Sequence, residues 1–353
     1  METKRVSIEQ LEKNDRLWNE VGSLLKNGKL VAFPTETVYG LGANGLDEDA
    51  AKKIYEAKGR PSDNPLILHV SSVEMVSQIA ENIGENAYRL MEHFWPGPLT
   101  IVLPKKEVVP YGTTGGLDTV AVRFPSDRIA KKLIESAGVP IAAPSANLSG
   151  RPSPTKAEHV LQDLDGKIDC IIEGGSVGIG IESTIVDMTN DVPMILRPGY
   201  ITKEMMEEVL QIEVKVDPAI LQKDGMDGVK PKAPGMKYKH YAPKGELTVV
   251  LGKSEENVVN TIIQLANEKL DLGYRVGIIA TEETVERYTR GIVKVIGSRK
   301  NPITISSNLY GILREFDEEK IEFIYSEGVE QEKFGQAIMN RLLKAAGYQV
   351  IQA

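Results

Sequence analysis

The chain has 353 residues, more than one hydrophobic core usually holds, so two domains are expected. It is 41% hydrophobic and 26% charged, the balance of an ordinary globular protein, and its net charge of −8 excludes a global basic field for nucleic acid, so any anion site must be local. The single Cys170 excludes an intramolecular disulfide framework, and the absence of an apolar run of about 18 residues, or of an apolar segment in METKRVSIEQ, makes a cytoplasmic protein without a membrane span the expectation.

In chain order, Leu30–Phe33 reads as a short buried strand after a helix ending near Asn27-Gly28. Asp47 is a fair N-cap for a helix through Lys58, and Gly59 a fair stop. Further strands are predicted at Leu66–Val70, Leu99–Leu103, Thr119–Phe124, Pro140–Ala143, Asp169–Ile172, Ser183–Met188 and Met194–Leu196. Helices are predicted at Val73–Ala80, Asn86–Phe94, Asp127–Ala137, Lys156–Leu161 and Lys203–Leu210. More strands than helices imply a mixed open sheet. After about Asp217 the pattern fades. Residues Val229–Lys244 carry five lysines, one histidine and no acid, and read as a linker. Regular β-α alternation then returns. Strands are expected at Leu247–Leu251, Arg275–Ala280, Val293–Ile296 and Ile321–Tyr325, with helices at Glu255–Leu270, Glu282–Arg290, Ser307–Glu315 and Gln331–Ala346. The domains are therefore 1–216, a linker 217–245, and 246–353.

Some motifs resemble chemistry and lack its context. LGKS at Leu251–Ser254 lies between a strand and a helix, but the first glycine of a phosphate-binding loop is replaced by Leu247. GGSVG at Gly174–Gly178 fits a hydrolase nucleophile pattern, yet a strand-like run follows where an elbow needs a helix. His69, His93, His159 and His240 show no metal-pair spacing, and no second cysteine exists for a structural zinc. Cys170 sits in an apolar run and reads as a small buried hydrophobe.

One set of residues does share a placement, at strand ends where the chain turns. Thr35, Thr37 and Tyr39 follow LVAFP; Lys58, Arg60 and Ser62 precede the strand at Leu66; Arg123 sits inside TVAVRFP. Ser145, Asn147 and Ser149 follow IAAP, Ser183 and Thr184 open STIVD, and Arg197 closes MILRPG. In open α/β sheets ligands collect in such crevices. The set is rich in cations, hydroxyls and amides, with Glu36 and Glu182 as the nearby carboxylates and no convincing covalent nucleophile. Such a site binds anions and stabilises developing charge, which is what phosphoryl or nucleotidyl transfer requires.

These stretches resemble the threonylcarbamoyl-AMP synthase family, the YrdC-like enzymes, in its two-domain form. The resemblance rests on FPTETVYGLGA (Phe33–Ala43), AKGRPSDNPL (Ala57–Leu66), WPGPLT (Trp95–Thr100), GLDTVAVRFP (Gly116–Pro125), PIAAPSANLSGRPSPT (Pro140–Thr155), ESTIVD (Glu182–Asp187) and LRPG (Leu196–Gly199). APGMKYKHYAP (Ala233–Pro243) and FGQAIMNRLLKAAG (Phe334–Gly347) extend it over nearly the whole chain. It implies a YrdC-like twisted mixed open sheet with flanking helices, plus a smaller Rossmann-like α/β domain. It also implies that threonine and bicarbonate give N-carboxythreonine, whose carboxylate attacks the α-phosphorus of ATP to leave threonylcarbamoyl-AMP and pyrophosphate. The product would pass to the tRNA threonylcarbamoyl transferase machinery, for the adenosine beside the anticodon. By resemblance, Lys58, Arg60, Ser145 and Asn147 are catalytic, the two cations neutralising phosphoryl charge with Mg²⁺. ATP contacts extend to Ser62, Thr119, Ser153, Arg197, Gly235 and Tyr241. Thr35, His69, Arg123, Ala143 and Ser183 line the threonine pocket, with Arg123 on the carboxylate. The basic linker is expected to close over the site as a lid, and it allows a weak tRNA contact.

Two other readings make different demands. An RNA-binding module fits the basic linker but not 6% aromatic content or the absence of RNP-type and KH-type motifs. A nucleotide-dependent regulator would need the phosphate loop that LGKS fails to complete.

Overall fold

The structure is a computed structural model that describes residues 2–220, 240–330 and 332–353. The chain divides into two compact units. Among the described residues the first draws on 2–149, 153–178 and 182–220, and the second on 150–152, 179–181, 240–330 and 332–353.

The first unit carries eleven strands: β1 (Lys4–Ser7), β2 (Val31–Phe33), β3 (Gly40–Asn44), β4 (Ile67–His69), β5 (Leu99–Pro104), β6 (Thr119–Arg123), β7 (Ile141–Ala142), β8 (Cys170–Glu173), β9 (Thr184–Asp187), β10 (Met194–Arg197) and β11 (Lys215–Val216). They form one mixed sheet in the order β1-β8-β2-β3-β7-β4-β6-β5-β9-β10-β11. The mixed open sheet expected from the sequence is therefore present. β3 is not among the strands expected from the sequence. Gly42 is there for close packing: a Cβ would lie 2.8 Å from the Phe33 ring and 2.9 Å from Ile141 Cγ2.

Helices cover the sheet. On one side Asp15–Lys26 and Arg128–Ala137 bury Trp18, Val21, Leu25, Ile129, Leu133 and Ile134. The helix Glu48–Lys58 belongs to a larger apolar cluster that includes Ala50, Ile54 and Tyr55. Its start is fixed by the Asp47 side chain, which accepts from the Asp49 and Ala50 amides, a cap worth about 1 kcal/mol. It stops at Gly59, whose φ of +60° suits glycine. The buried positions 50, 51, 54, 55 and 58 follow helical spacing, so Lys58 falls on the buried stripe instead of the solvent face. The helix expected over Val73–Ala80 is shorter, Val76–Ile79.

In the second unit β12 (Glu246–Leu251), β13 (Val276–Ala280), β14 (Ile292–Val295), β15 (Phe323–Glu327) and β16 (Val350–Gln352) form a parallel sheet in the order β14-β13-β15-β12-β16. Helices Glu255–Asp271, Pro302–Glu318 and Phe334–Ala345 connect them, as a small Rossmann-like unit requires. The residues of LGKS have a structural use: Ser254 caps the first of these helices by accepting from Asn257 N. The helix expected over Glu282–Arg290 is absent. A 3-10 turn at Val285–Arg287 replaces it, because the hydroxyls of Thr281, Thr284 and Tyr288 turn inward to the buried carboxylate of Glu327. Among the described residues no helix is long and apolar enough to cross a membrane.

Candidate active site

The strand order aligns three polar side chains in one row. His69 ends β4 and pairs in register with Arg123 of β6, and Thr100 of β5 pairs with Arg123 from the other side. Residues directly opposite in neighbouring strands face the same way, so the row presents an imidazole, a guanidinium and a hydroxyl together. Next to it, the Ser183 hydroxyl lies 2.7 Å from Thr100 Oγ1. Arg197 donates from Nε to the Ser183 carbonyl at 3.0 Å and from Nη2 to its hydroxyl at 3.2 Å. Thr100 is not among the residues that the sequence singles out. A lone threonine in an apolar strand carries no distinguishing signal, and only the register reveals its position.

The turn after β2 closes on this row. Thr35 Oγ1 lies 2.9 Å from Thr37 Oγ1, donates to the Val38 carbonyl at 2.6 Å and accepts from the Val38 amide. Thr37 in turn accepts from Arg123 Nη1 at 2.9 Å. Between the two threonines Glu36 reaches Arg123 Nη2 at 2.7 Å, with side chains 14% and 5% exposed respectively. Asp127, the cap of the helix Arg128–Ala137, stands close enough for Glu36 to repel it; burial chiefly, with that repulsion added, holds its carboxyl above the usual range. His69 is buried, with Nδ1 3.2 Å from the Ile67 carbonyl and its ring edge-on to Phe33. Burial and the neighbouring Arg123 push its pKa down to about 3, so the imidazole is neutral throughout the physiological range.

Lys58 is 2% exposed, and its ammonium donates to the carbonyls of Ser145 and Asn147. The Ser149 amide returns a bond to the Lys58 carbonyl at 2.9 Å. The helix end and the S-x-N turn are thus one unit, and Lys58, Ser145 and Asn147 come together as the motifs suggested. Ser145 also bridges to Gly40 of β3. Ala143 is buried, and its amide donates to the Ile67 carbonyl beside His69. Ser153 is fully buried and donates to Glu182 at 2.6 Å.

The remaining predicted residues have their own surroundings. Arg60 donates to the Asn64 and Pro65 carbonyls and, with exposed Ser62, lines a cleft of about 700 Å³ that also includes Tyr55, Tyr111 and Gly116. Thr119 opens β6 while Arg123 closes it, four residues along, which places them about 13 Å apart. Tyr241 belongs to the second unit, where it is buried and stacked on Tyr310 with ring centroids 5.2 Å apart. Gly235 and most of the linker expected to form a lid lie outside the described residues. Cys170 is fully buried, and burial pushes its thiol up to about 11, which leaves it an inert hydrophobe. Ser176 of GGSVG is exposed in a loop that Tyr39 secures through the Gly174 amide and the Gly175 carbonyl, with no helix following it.

Comparison with known proteins matches two family models. Residues 23–199 match one described as telomere recombination, and residues 201–347 match the threonylcarbamoyl-AMP synthase C-terminal domain. A threonylcarbamoyl-AMP synthase of Pyrococcus abyssi is 51% identical over 93% of both chains, and one of Bacillus subtilis is 48% identical over the full length of both. The crystal structure of P. abyssi Sua5 complexed with L-threonine superposes with a TM-score of 0.92 at 47% identity, covering 100% of each chain.

Proposed function

The chain belongs to the threonylcarbamoyl-AMP synthase family, enzymes that make an AMP-linked intermediate, and on that premise we propose that it joins L-threonine, bicarbonate and ATP into threonylcarbamoyl-AMP with release of pyrophosphate. The observation that carries the reading is the row of Thr100, Arg123 and His69, with Ser183 and Arg197 beside it, in a chain similar end to end to a P. abyssi protein crystallised with L-threonine.

In this reading the Arg123 guanidinium takes the threonine carboxylate, and Thr35 and Ser183 supply hydroxyl partners. Neutral His69 shapes the pocket without adding charge. The substrates provide their own nucleophile, the carbamate oxygen of N-carboxythreonine, so the protein has to position and neutralise. Its attack forms the bond to the α-phosphorus as the bond to pyrophosphate breaks. Lys58, fixed at the helix end beside Ser145 and Asn147, is the group placed to balance charge on the phosphoryl oxygens. Arg60, Arg197, Ser62, Ser153, Thr119, Gly235 and Tyr241 are assigned to ATP by the family resemblance alone. Among the described residues no group of three or more His, Cys, Asp or Glu side chains could cage a metal, so Mg²⁺ fits as an ion carried by the triphosphate, where it would offset phosphate charge. The product is destined for tRNA threonylcarbamoylation beside the anticodon, in the cytoplasm.

The test is pyrophosphate release with ATP, threonine, bicarbonate and Mg²⁺, each omitted in turn, with mass spectrometry of the nucleotide product. Release that requires all of them, with a threonylcarbamoyl adduct of AMP, is the expected outcome; ATP consumption independent of threonine would reject it. Lys58→Ala should then lower the threonine-dependent rate about 100- to 1,000-fold, the scale of a lost oxyanion donor.

A further inference from the structure

The pair formed by Arg123 and Glu36 is incomplete in a way that a structural ion pair should not be. Arg123 is buried, the Glu36 oxygens are shielded from solvent, and one contact of 2.7 Å joins the two side chains. Yet Arg123 Nε and Glu36 Oε2 have no hydrogen-bond partner among the described residues. Leaving a buried donor or acceptor unmatched costs about 1–3 kcal/mol, and more when the group is charged. A carboxylate that served packing alone would be expected to satisfy both oxygens internally, or to be replaced by an apolar side chain. The backbone around Glu36 is not loose. The hydroxyls of Thr35 and Thr37 meet at 2.9 Å and close the turn on either side of it, which fixes where the carboxylate stands.

What remains unmatched includes the Nε–H of a cation and one oxygen of the anion paired with it. Their complement is a ligand with an anion beside a cation. A free α-amino acid is such a ligand. A guanidinium alone would accept any carboxylate, whereas the adjacent carboxylate requires an ammonium next to it.

We propose that Glu36 holds the α-ammonium group of the bound amino acid, while Arg123 holds its carboxylate. This rests on the threonine-site reading above and adds a specificity-determining residue to it. After carboxylation the nitrogen keeps one N–H, which can still donate to the same oxygen.

The experiment measures binding of two ligands to the full chain by calorimetry: L-threonine, and 3-hydroxybutanoate, which lacks only the amino group. The wild-type protein should prefer threonine. Glu36→Gln should weaken threonine about 10- to 100-fold, the scale of a hydrogen bond to a charged group, and leave 3-hydroxybutanoate nearly unchanged. If Glu36 merely orients Arg123, both ligands weaken by the same factor, and that result overturns the proposal, as does unchanged threonine binding. Should Glu36→Gln fail to fold, Glu36→Asp keeps the charge but withdraws the carboxylate, and the same selective loss is expected of it. Wild-type protein that binds neither ligand would reject the threonine-site reading itself. Threonine binding by the wild type, with selectivity unaltered in the variants, would reject the role of Glu36 alone.

Discussion

Each unit contains a largely hidden glutamate paired with an arginine; in both pairs the arginine Nε is unmatched among the described residues, and the difference lies in the carboxylate. In the second unit, Glu327 accepts from Arg299 Nη2 at 2.6 Å, from Thr281, from Thr284 and from the Tyr288 hydroxyl at 2.8 Å, so both carboxylate oxygens are used. In the first unit, Glu36 meets Arg123 once, and each side chain keeps an unmatched atom. The saturated carboxylate behaves as scaffold: it holds the ends of β13 and β15 and the 3-10 turn between strands. The incomplete one has capacity for a ligand. Saturation of the carboxylate oxygens therefore separates the structural glutamate from the receptive one more sharply than burial does, since both are largely hidden.

The largest effect that would test this contrast is on stability. Glu327→Ala strands Arg299 and three hydroxyls, and should lower the unfolding free energy of the second unit by about 3–5 kcal/mol in urea titrations. The concentration of threonine giving half-maximal rate should stay unchanged; a shift there would break the contrast. Arg123→Lys comes next. It keeps the charge but loses the planar fork, and should raise that threonine concentration about 10- to 100-fold with little change for ATP.

A smaller effect concerns pH. Burial holds the pKa of His69 near 3 in the folded chain, while an unfolded histidine titrates near 6.5. Between those values the unfolded state binds the extra proton. The stabilisation is complete above about pH 6.5 and is lost as pH falls towards 3, with a slope of up to about 1.4 kcal/mol per unit. Melting curves from about pH 7.5 down to about pH 5 should show a shallower decline in His69→Gln than in the wild type; parallel curves would place the imidazole in a wetter setting. The smallest effect is that of Tyr288→Phe. Glu327 Oε1 keeps Thr284 as a donor, so the loss should be about 1 kcal/mol, readable as a modest drop in the urea midpoint.

The sequence revealed the second unit well where periodicity was strong. Its four predicted strands and the long helices after β12 and β14 stand close to their expected places. It failed where side chains override pattern. Glu282–Arg290 has helical spacing, but three hydroxyls drawn to Glu327 break it. Short terminal strands such as β1 and β16 have too few buried residues to show alternation. In the site, Lys58 beside the S-x-N turn was legible because a cation at a helix end is visible in sequence. Thr100 was not, because its partnership with Ser183 spans 83 residues and exists only through strand order. Glu36 was visible as a carboxylate, but nothing local could tell that one of its oxygens would be left over.

The row across β4, β6 and β5 also sets rules for insertion and deletion. Side chains alternate faces along a strand, so adding or removing one residue inside β6 would turn Arg123 from the row to the opposite face and dismantle the pocket while preserving composition. The connection from Lys105 to Asp118 lies between the two strand phases and does not set either. That connection is nonetheless held in place, since the Thr113 carbonyl accepts from the Leu66 amide and its hydroxyl donates to the Gly45 carbonyl. Reading-frame position within a strand, more than chemical similarity, decides which indels this enzyme can survive.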